Sequence, residues 1–297
     1  MSFTAQVKNE LAQIEFEKDC CRHAYAYGFL LFGKSFGSRS VLIQTDYEDV
    51  LASFSKTVYD VTGVKLAQSR LKSGKYTCRA VTAEDRKNII ESFDHSITDF
   101  SLRINYGNFD DDCCYGHFLR GVFQSCGTVS NPSKRYHLEF VVPYYKLSQD
   151  LLKFLNNNNI KAKYILRKYS HVIYLKDSES IEDALTLMGA TNSTLQIMGI
   201  KIEKNVRNNI NRQLNFESAN LSRAIEAGLA QVRAIEIIEK KSGLDSLPDE
   251  LKELAILRKD NPDMSLKQLG ESLRVPISRS GVNHRLMKLM EIAEKYR

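Results

Sequence analysis

Two stretches of the chain follow one plan. Residues 20–43 read CCRHAYAYGFLLFGKSFGSRSVLI, and residues 113–140 read CCYGHFLRGVFQSCGTVSNPSKRYHLEF. Cys20-Cys21 answers Cys113-Cys114 and Gly28 answers Gly121, both at an offset of 93 residues (113 − 20 and 121 − 28). Each stretch opens as a helix-length segment, and the echo continues beyond it. The first half reads as strand (Ser40–Asp46), helix (Tyr47–Thr62), strands (Val64–Lys72 and Tyr76–Thr82) and helix (Glu84–Phe93). The second reads as strand (Tyr136–Val142), helix (Tyr144–Leu155), strands (Lys161–Arg167 and His171–Asp177) and helix (Ser180–Met188). A unit this long is not a solenoid repeat, whose period is roughly 20–50 residues. It predicts a duplicated half-domain with pseudo-twofold symmetry, and so a monomer with an internal pseudo-dimer.

Glycine inside a helix costs about 1 kcal/mol relative to alanine. Two such glycines at matching places, Gly28 and Gly121, predict a close contact between the two repeat helices. The segment before the repeats carries Phe3, Val7, Leu11 and Ile14 on one stripe of a helix expected over Thr4–Glu17.

Helix, glycine, helix end, glycine and strand, used twice, resembles the LAGLIDADG homing-endonuclease fold. The run Val129-Ser130-Asn131-Pro132-Ser133-Lys134-Arg135-Tyr136-His137-Leu138-Glu139 is more specific and resembles the WhiA family of bacterial regulators, linked to sporulation and cell division. That resemblance continues through Asn211-Arg212, Glu217-Ser218-Ala219-Asn220-Leu221, Gly243-Leu244-Asp245-Ser246-Leu247-Pro248 and Ser280-Gly281-Val282-Asn283-His284-Arg285-Leu286, covering almost the whole chain. It implies an α+β fold of duplicated LAGLIDADG-type half-domains, followed by an all-α helix-turn-helix domain. The expected boundaries are 1–215 for the first domain (halves about 18–100 and 110–200), 216–245 for a linker helix and 246–297 for the DNA-binding domain.

Working LAGLIDADG nucleases place one acid at the end of each repeat helix to hold divalent metal and activate water. Laid on this chain, those positions are Gly33 and Cys126, and the positions two residues earlier are Leu31 and Gln124. None of these can supply a carboxylate. The resemblance therefore implies a nuclease scaffold without its catalytic centre, kept to bind DNA, protein or ligand; an active enzyme using other acids is the rival reading. Walker, G-x-G-x-x-G and H-E-x-x-H patterns are absent, and no cofactor is expected.

The two CC pairs lack the C-x₂-C spacing of zinc sites. A composite four-sulfur site would need the two helix starts to lie side by side. The plainer reading, which assigns no metal, makes the cysteines small residues of the first helical turn, with Asp19 and Asp112 as N-caps. His23 and His117 echo one another inexactly and read as core or surface residues.

Toward the C-terminus, residues 206–216 (VRNNINRQLNF) read as a polar connector. Leu221, Ile225, Leu229, Val232, Ile235 and Ile238 then follow helical spacing to Gly243, and this stripe is expected to dock on its own domain. Ser246-Leu247-Pro248-Asp249 resembles a helix start. Ser265-Leu266-Lys267-Gln268 is a capping-box pattern, Arg274-Val275-Pro276 a tight turn, and Ser278 the cap of a last helix with Val282, Leu286 and Leu289 inward. Two helices joined by a turn of three or four residues make a helix-turn-helix, although the turn lacks glycine. Its candidate DNA contacts are Ser265, Lys267, Gln268, Ser278, Arg279, Ser280, Asn283, His284, Arg285 and Lys288.

Charge fits double-stranded DNA as partner without demanding it. The net charge is +6, from 42 basic and 36 acidic residues. Residues 101–219 carry +4 of it (15 − 11) and 220–297 carry +2 (14 − 12). On the expected strand 161–167, Lys161, Lys163 and Arg167 alternate with Ala162, Tyr164 and Leu166, which puts three cations on one face as an auxiliary DNA contact. No apolar run approaches the roughly 20 residues that span a bilayer. The expected location is the cytoplasm, at the nucleoid, with a protein co-regulator as a further partner and no membrane association.

Overall fold

The computed structural model describes residues 1–98 and 101–296. Asp99, Phe100 and Arg297, which the expected domains include, lie outside the described residues. The chain forms two compact units, Met1–Lys204 and Asn205–Arg297.

In the first unit, α1 (Phe3–Ala12) precedes two copies of one arrangement. The first copy is α2 (Asp19–Leu31), β1 (Ser35–Gly37), β2 (Ser40–Thr45), α3 (Glu48–Thr62), β3 (Ala67–Arg70), β4 (Tyr76–Arg79) and α4 (Ala83–Glu91). The second is α5 (Cys113–Cys126), β5 (Gly127–Val129), β6 (Leu138–Val142), α6 (Tyr145–Asn157), β7 (Lys163–Arg167), β8 (Ser170–Leu175) and α7 (Ser178–Met188). Each copy builds a four-stranded antiparallel sheet, in the orders β1-β2-β4-β3 and β5-β6-β8-β7. The fold is α+β, with duplicated LAGLIDADG-type halves ahead of an all-helical region.

The period of two sorts each strand's residues by face. Val41 and Ile43 of β2, Cys78 of β4, Leu138 and Phe140 of β6, and Ile173 and Leu175 of β8 are buried in the core. Helices α2 and α5 pack on one another through that core, and the glycines set their separation. A Cβ on Gly28 would run into the carbonyl oxygen of Phe118, and one on Gly121 into that of Tyr25 and to 2.7 Å from the amide of Phe29. Only a residue without a side chain allows the backbones so close.

Several boundaries differ from the sequence reading. The first helix ends at Ala12 rather than Glu17, so Phe3, Val7 and Leu11 are buried on it while Ile14 follows it. Asp19 is the first residue of α2 rather than its cap, and Asp112 precedes α5 without a side-chain capping bond. Strands β1 and β5 follow almost directly on the repeat helices.

The expected polar connector and linker helix form one helix instead, α8 (Thr191–Ser242). Its start is held from outside: the carboxylate of Glu10 accepts from the amides of Asn192 at 2.7 Å and Ser193 at 3.1 Å. Those are N–H groups that a helix start leaves unpaired. The apolar stripe of α8 docks on its own domain only at its C-terminal end. Leu221, Ile225 and Leu229 are 62%, 46% and 49% exposed, whereas Ile235 and Ile238 are buried in the second unit's core. Among the described residues, no helix is long and apolar enough to cross a membrane.

The second unit closes around the end of α8, α9 (Asp249–Asp260), α10 (Leu266–Ser272) and α11 (Arg279–Glu294). Its core holds Ile235, Ile238, Leu251, Leu254, Leu269, Val282, Leu286 and Leu289. Ser246 does not cap α9; its hydroxyl donates back to the carbonyl of Gly243 at 2.7 Å, and Pro248 occupies the cap position.

Candidate nucleic-acid interface

Helices α10 and α11 are each started by a side chain. Ser265 accepts from the amide of Gln268 at 3.3 Å, and the Gln268 side chain accepts from the amide of Ser265 at 3.0 Å. Ser278 accepts from the amide of Gly281 at 3.2 Å. These three polar groups therefore have a local task that fixes the helix ends. The connector between the helices is six residues, 273–278, not three or four. Its close approach rests on a glycine within α10: a Cβ on Gly270 would collide with the carbonyl oxygen of Ile277, whose amide donates to Gly270 at 3.1 Å. Sequence reading looked for that glycine in the turn and missed it in the helix.

The bend between α9 and α10 is braced from within. Arg258 is buried, and its Nη1 donates to the carbonyls of Pro262 at 3.1 Å and Met264 at 2.7 Å. Burial pulls its guanidinium below the ordinary arginine range.

On α11 the burial pattern divides the helix. Val282, Leu286 and Leu289 are buried, whereas Arg279, Ser280, Asn283, His284 and Lys288 are exposed on the opposite side. Arg285 is set apart from them. Its Nη2 donates to a carboxylate oxygen of Glu250 on α9 at 2.6 Å, and its side chain is 23% exposed. Lys267 is exposed on α10, 3.8 Å from Glu271.

In the first unit, the ends of α2 and α5 meet at a cavity lined by Gly33, Lys34, Gln44, Lys75, Ser125 and Cys126 among others, and among the described residues no carboxylate lines it. A side chain at position 33 would press into Ile43 and stand 3.0 Å from the carbonyl oxygen of Leu30. Gln124 is exchanged with α1: its Nε2 donates to the carbonyl of Lys8 at 2.8 Å, and Lys8 Nζ donates to the carbonyl of Gln124 at 2.9 Å. Burial lowers the Lys8 ammonium to about 8. Asp46 lies 3.8 Å from Lys75, one of the lining residues. Among the described residues, the charged side chains that line this cavity are those of Lys34 and Lys75.

The second sheet alters the expected cationic face. Strand β7 starts at Lys163, so Lys161 precedes it. β7 is an edge strand, with Ile165 and Leu166 on opposite faces and both exposed. Register places Lys163 opposite Tyr174 and Arg167 opposite Ser170, on the face that also carries Glu139. Glu139 accepts from Arg167 at 2.9 Å and pairs with His137 at 3.0 Å. Burial opposes the charge on Glu139, but Arg167 and His137 together hold its carboxyl below the usual range. The alternation that aligned the cations also aligns Glu139, so this compensation was accessible from sequence once the strands were paired. His23 bonds Asn108 at 2.8 Å and His117 bonds Arg120 at 2.7 Å, each a half-buried side chain with a structural partner.

Comparison with known proteins follows the same division. Residues 115–207 match the WhiA LAGLIDADG-like domain, and residues 210–293 match the WhiA C-terminal HTH domain. The chain is 36% identical over 314 residues to the "Probable cell division protein WhiA" of Alkaliphilus metalliredigens, covering 100% of this chain and 99% of that protein. It is 35% identical over 309 residues to the protein of that name from Ruminiclostridium cellulolyticum, covering 100% and 98%. The crystal structure of full-length DUF199/WhiA from Thermatoga maritima has the same fold, with a TM-score of 0.61 at 24% identity over 100% of this chain and 99% of that one. Similarity at this level along the whole length means that the chain belongs to the WhiA family.

Proposed function

We propose that the chain is a sequence-specific DNA-binding transcriptional regulator acting in cell division, chromosome segregation or sporulation. In this reading α11 is the recognition helix and the LAGLIDADG-like unit is a scaffold without nuclease activity. The observation that carries it is the exposed polar face of a capped helix: Arg279, Ser280, Asn283, His284 and Lys288 opposite the buried Val282, Leu286 and Leu289. Such a helix presents donors and acceptors at the depth of the major groove. Asn283, on that face, suits bidentate reading of adenine, while Arg279 and Lys288 suit phosphates. Cells carrying the chain would show it at the nucleoid, with a protein co-regulator as a further partner.

Replacing Asn283 with alanine in the full-length protein is expected to weaken specific binding by about 1–3 kcal/mol and leave binding to random DNA unchanged. Crosslinking to the genome supplies the specific site. An unchanged ratio of specific to random affinity, with the fold intact by circular dichroism, removes Asn283 from the reading surface.

The absence of nuclease chemistry is tested separately, because Asp46 is an acid near the helix ends. Supercoiled DNA with Mg²⁺ is expected to stay intact. Cleavage that disappears in Asp46→Asn would make the protein an endonuclease.

A further inference from the structure

The first turns of α2 and α5 bring the sulfurs of Cys20, Cys21 and Cys113 into one group, with a fourth cysteine, Cys114, next to Cys20. Cys21 Sγ lies 3.4 Å and Cys20 Sγ 4.0 Å from Cys113 Sγ. These three ligand atoms all fall within 4.8 Å of one another. Cys114 is buried beside them, with Cys20 as its side-chain hydrogen-bonding neighbour. All four are free thiols. The duplication explains the grouping. The repeat helices pack with their starts side by side, so two vicinal pairs that are 93 residues apart in the chain meet.

The two sulfur–sulfur separations at Cys113 fit the edges of one tetrahedral ion. A zinc–sulfur bond of about 2.3 Å places tetrahedral ligands about 3.8 Å apart. The observed 3.4 and 4.0 Å bracket that edge. A disulfide needs its sulfurs at about 2.0 Å, and an iron–sulfur cluster spreads its thiolates over several metal atoms.

The backbone amides of two helix starts favour thiolate at this point. Lys18, paired with Asp111 at 3.2 Å, lies beside Cys113.

We propose that Cys20, Cys21, Cys113 and Cys114 bind one thiophilic divalent ion of the zinc class, which clamps the first turns of α2 and α5 together. Loading exchanges four thiol protons for four sulfur–metal bonds, with no change of oxidation state. The clamp acts where the helices start, well before the glycine contact of Gly28 and Gly121. Because binding competes with protons, it weakens as pH falls.

The test uses the full-length protein, reduced, with Zn²⁺ and Co²⁺ as probes. Purified protein is expected to carry one zinc per chain, and stripping it with a chelator should lower Tm. Refilling the stripped protein with Co²⁺ should give a thiolate-to-cobalt charge-transfer band and the visible bands of a tetrahedral site. Cys20→Ser/Cys113→Ser should lose stoichiometric zinc and the cobalt spectrum, whereas Cys78→Ser, in the first sheet, should keep both. If the double variant does not fold, Cys113→Ser alone serves, since Cys113 is exposed; its cobalt spectrum should show one thiolate fewer. Reduced protein that binds neither ion, zinc that survives loss of Cys20 and Cys113, or a sulfide-containing iron chromophore would each overturn the proposal.

Discussion

Lys8 is a buried cation whose partners are a carbonyl and two ring faces, those of Tyr47 and Phe123 at 5.7 Å each. Burial holds its folded-state value at about 8 against the ordinary 10.5. Between those values the unfolded chain binds more protons than the folded one, so raising the pH favours folding. The charged lysine costs stability at pH 7, and that cost is relieved through pH 8 and above. Relative to Lys8→Met, the native protein should gain about 1.4 kcal/mol of stability for each pH unit between 8 and 10. Urea unfolding at several pH values reads the difference; parallel curves would mean that Lys8 is solvated. Sequence placed Lys8 only on a helix next to the apolar stripe, and nothing local says that the carbonyl of Gln124 waits for it. The same limit applies on α11. Its 3.6-residue period separated Asn283 and His284 from Val282 and Leu286, but the pairing of Arg285 with Glu250 needed the placement of α9.

At the scale of elements, the repeat helices were legible because their glycines are costly where nothing requires them. The structure supplies the requirement, since each glycine faces a backbone oxygen of the partner helix. Gly121→Ala should therefore destabilise by about 1–3 kcal/mol through overpacking. Gly37→Ala, where an added Cβ meets nothing within 4 Å, should change stability far less. Equal unfolding midpoints for the two variants would show that the helices separate at little cost. Strands β1 and β5 escaped the sequence reading because three residues cannot display a period of two. Helix α8 escaped it for a different reason: its polar stretch 206–216 lacks glycine and proline, so no breaker stops a helix held at its start by Glu10.

For the whole molecule, the open question is how much of its DNA affinity comes from the first unit. Three cations at 161, 163 and 167 would each contribute about −0.9 to the slope of log affinity against log salt if all touched phosphate. The structure reduces that number. Arg167 already has Glu139 at 2.9 Å, and exchanging that carboxylate for a phosphate leaves Glu139 and His137 to be rearranged. Lys161 and Lys163 remain exposed, and Lys163 shares its face with Tyr174. The first sheet offers little to match them: on the corresponding face Arg79 stands among Leu42, Thr77 and Ala67. A pair of sheets that is basic on one side alone should bind DNA weakly and without sequence preference. Changing Lys161, Lys163 and Arg167 together to alanine in the full-length protein should make the salt slope shallower by about 1–2. Discrimination between specific and random DNA should survive if α11 carries it, as proposed. A double change of Lys161 and Lys163 should account for nearly all of the effect, with Arg167→Ala alone near zero. An unaltered slope in the triple variant would confine phosphate contact to the second unit and leave the sheets free to bind protein.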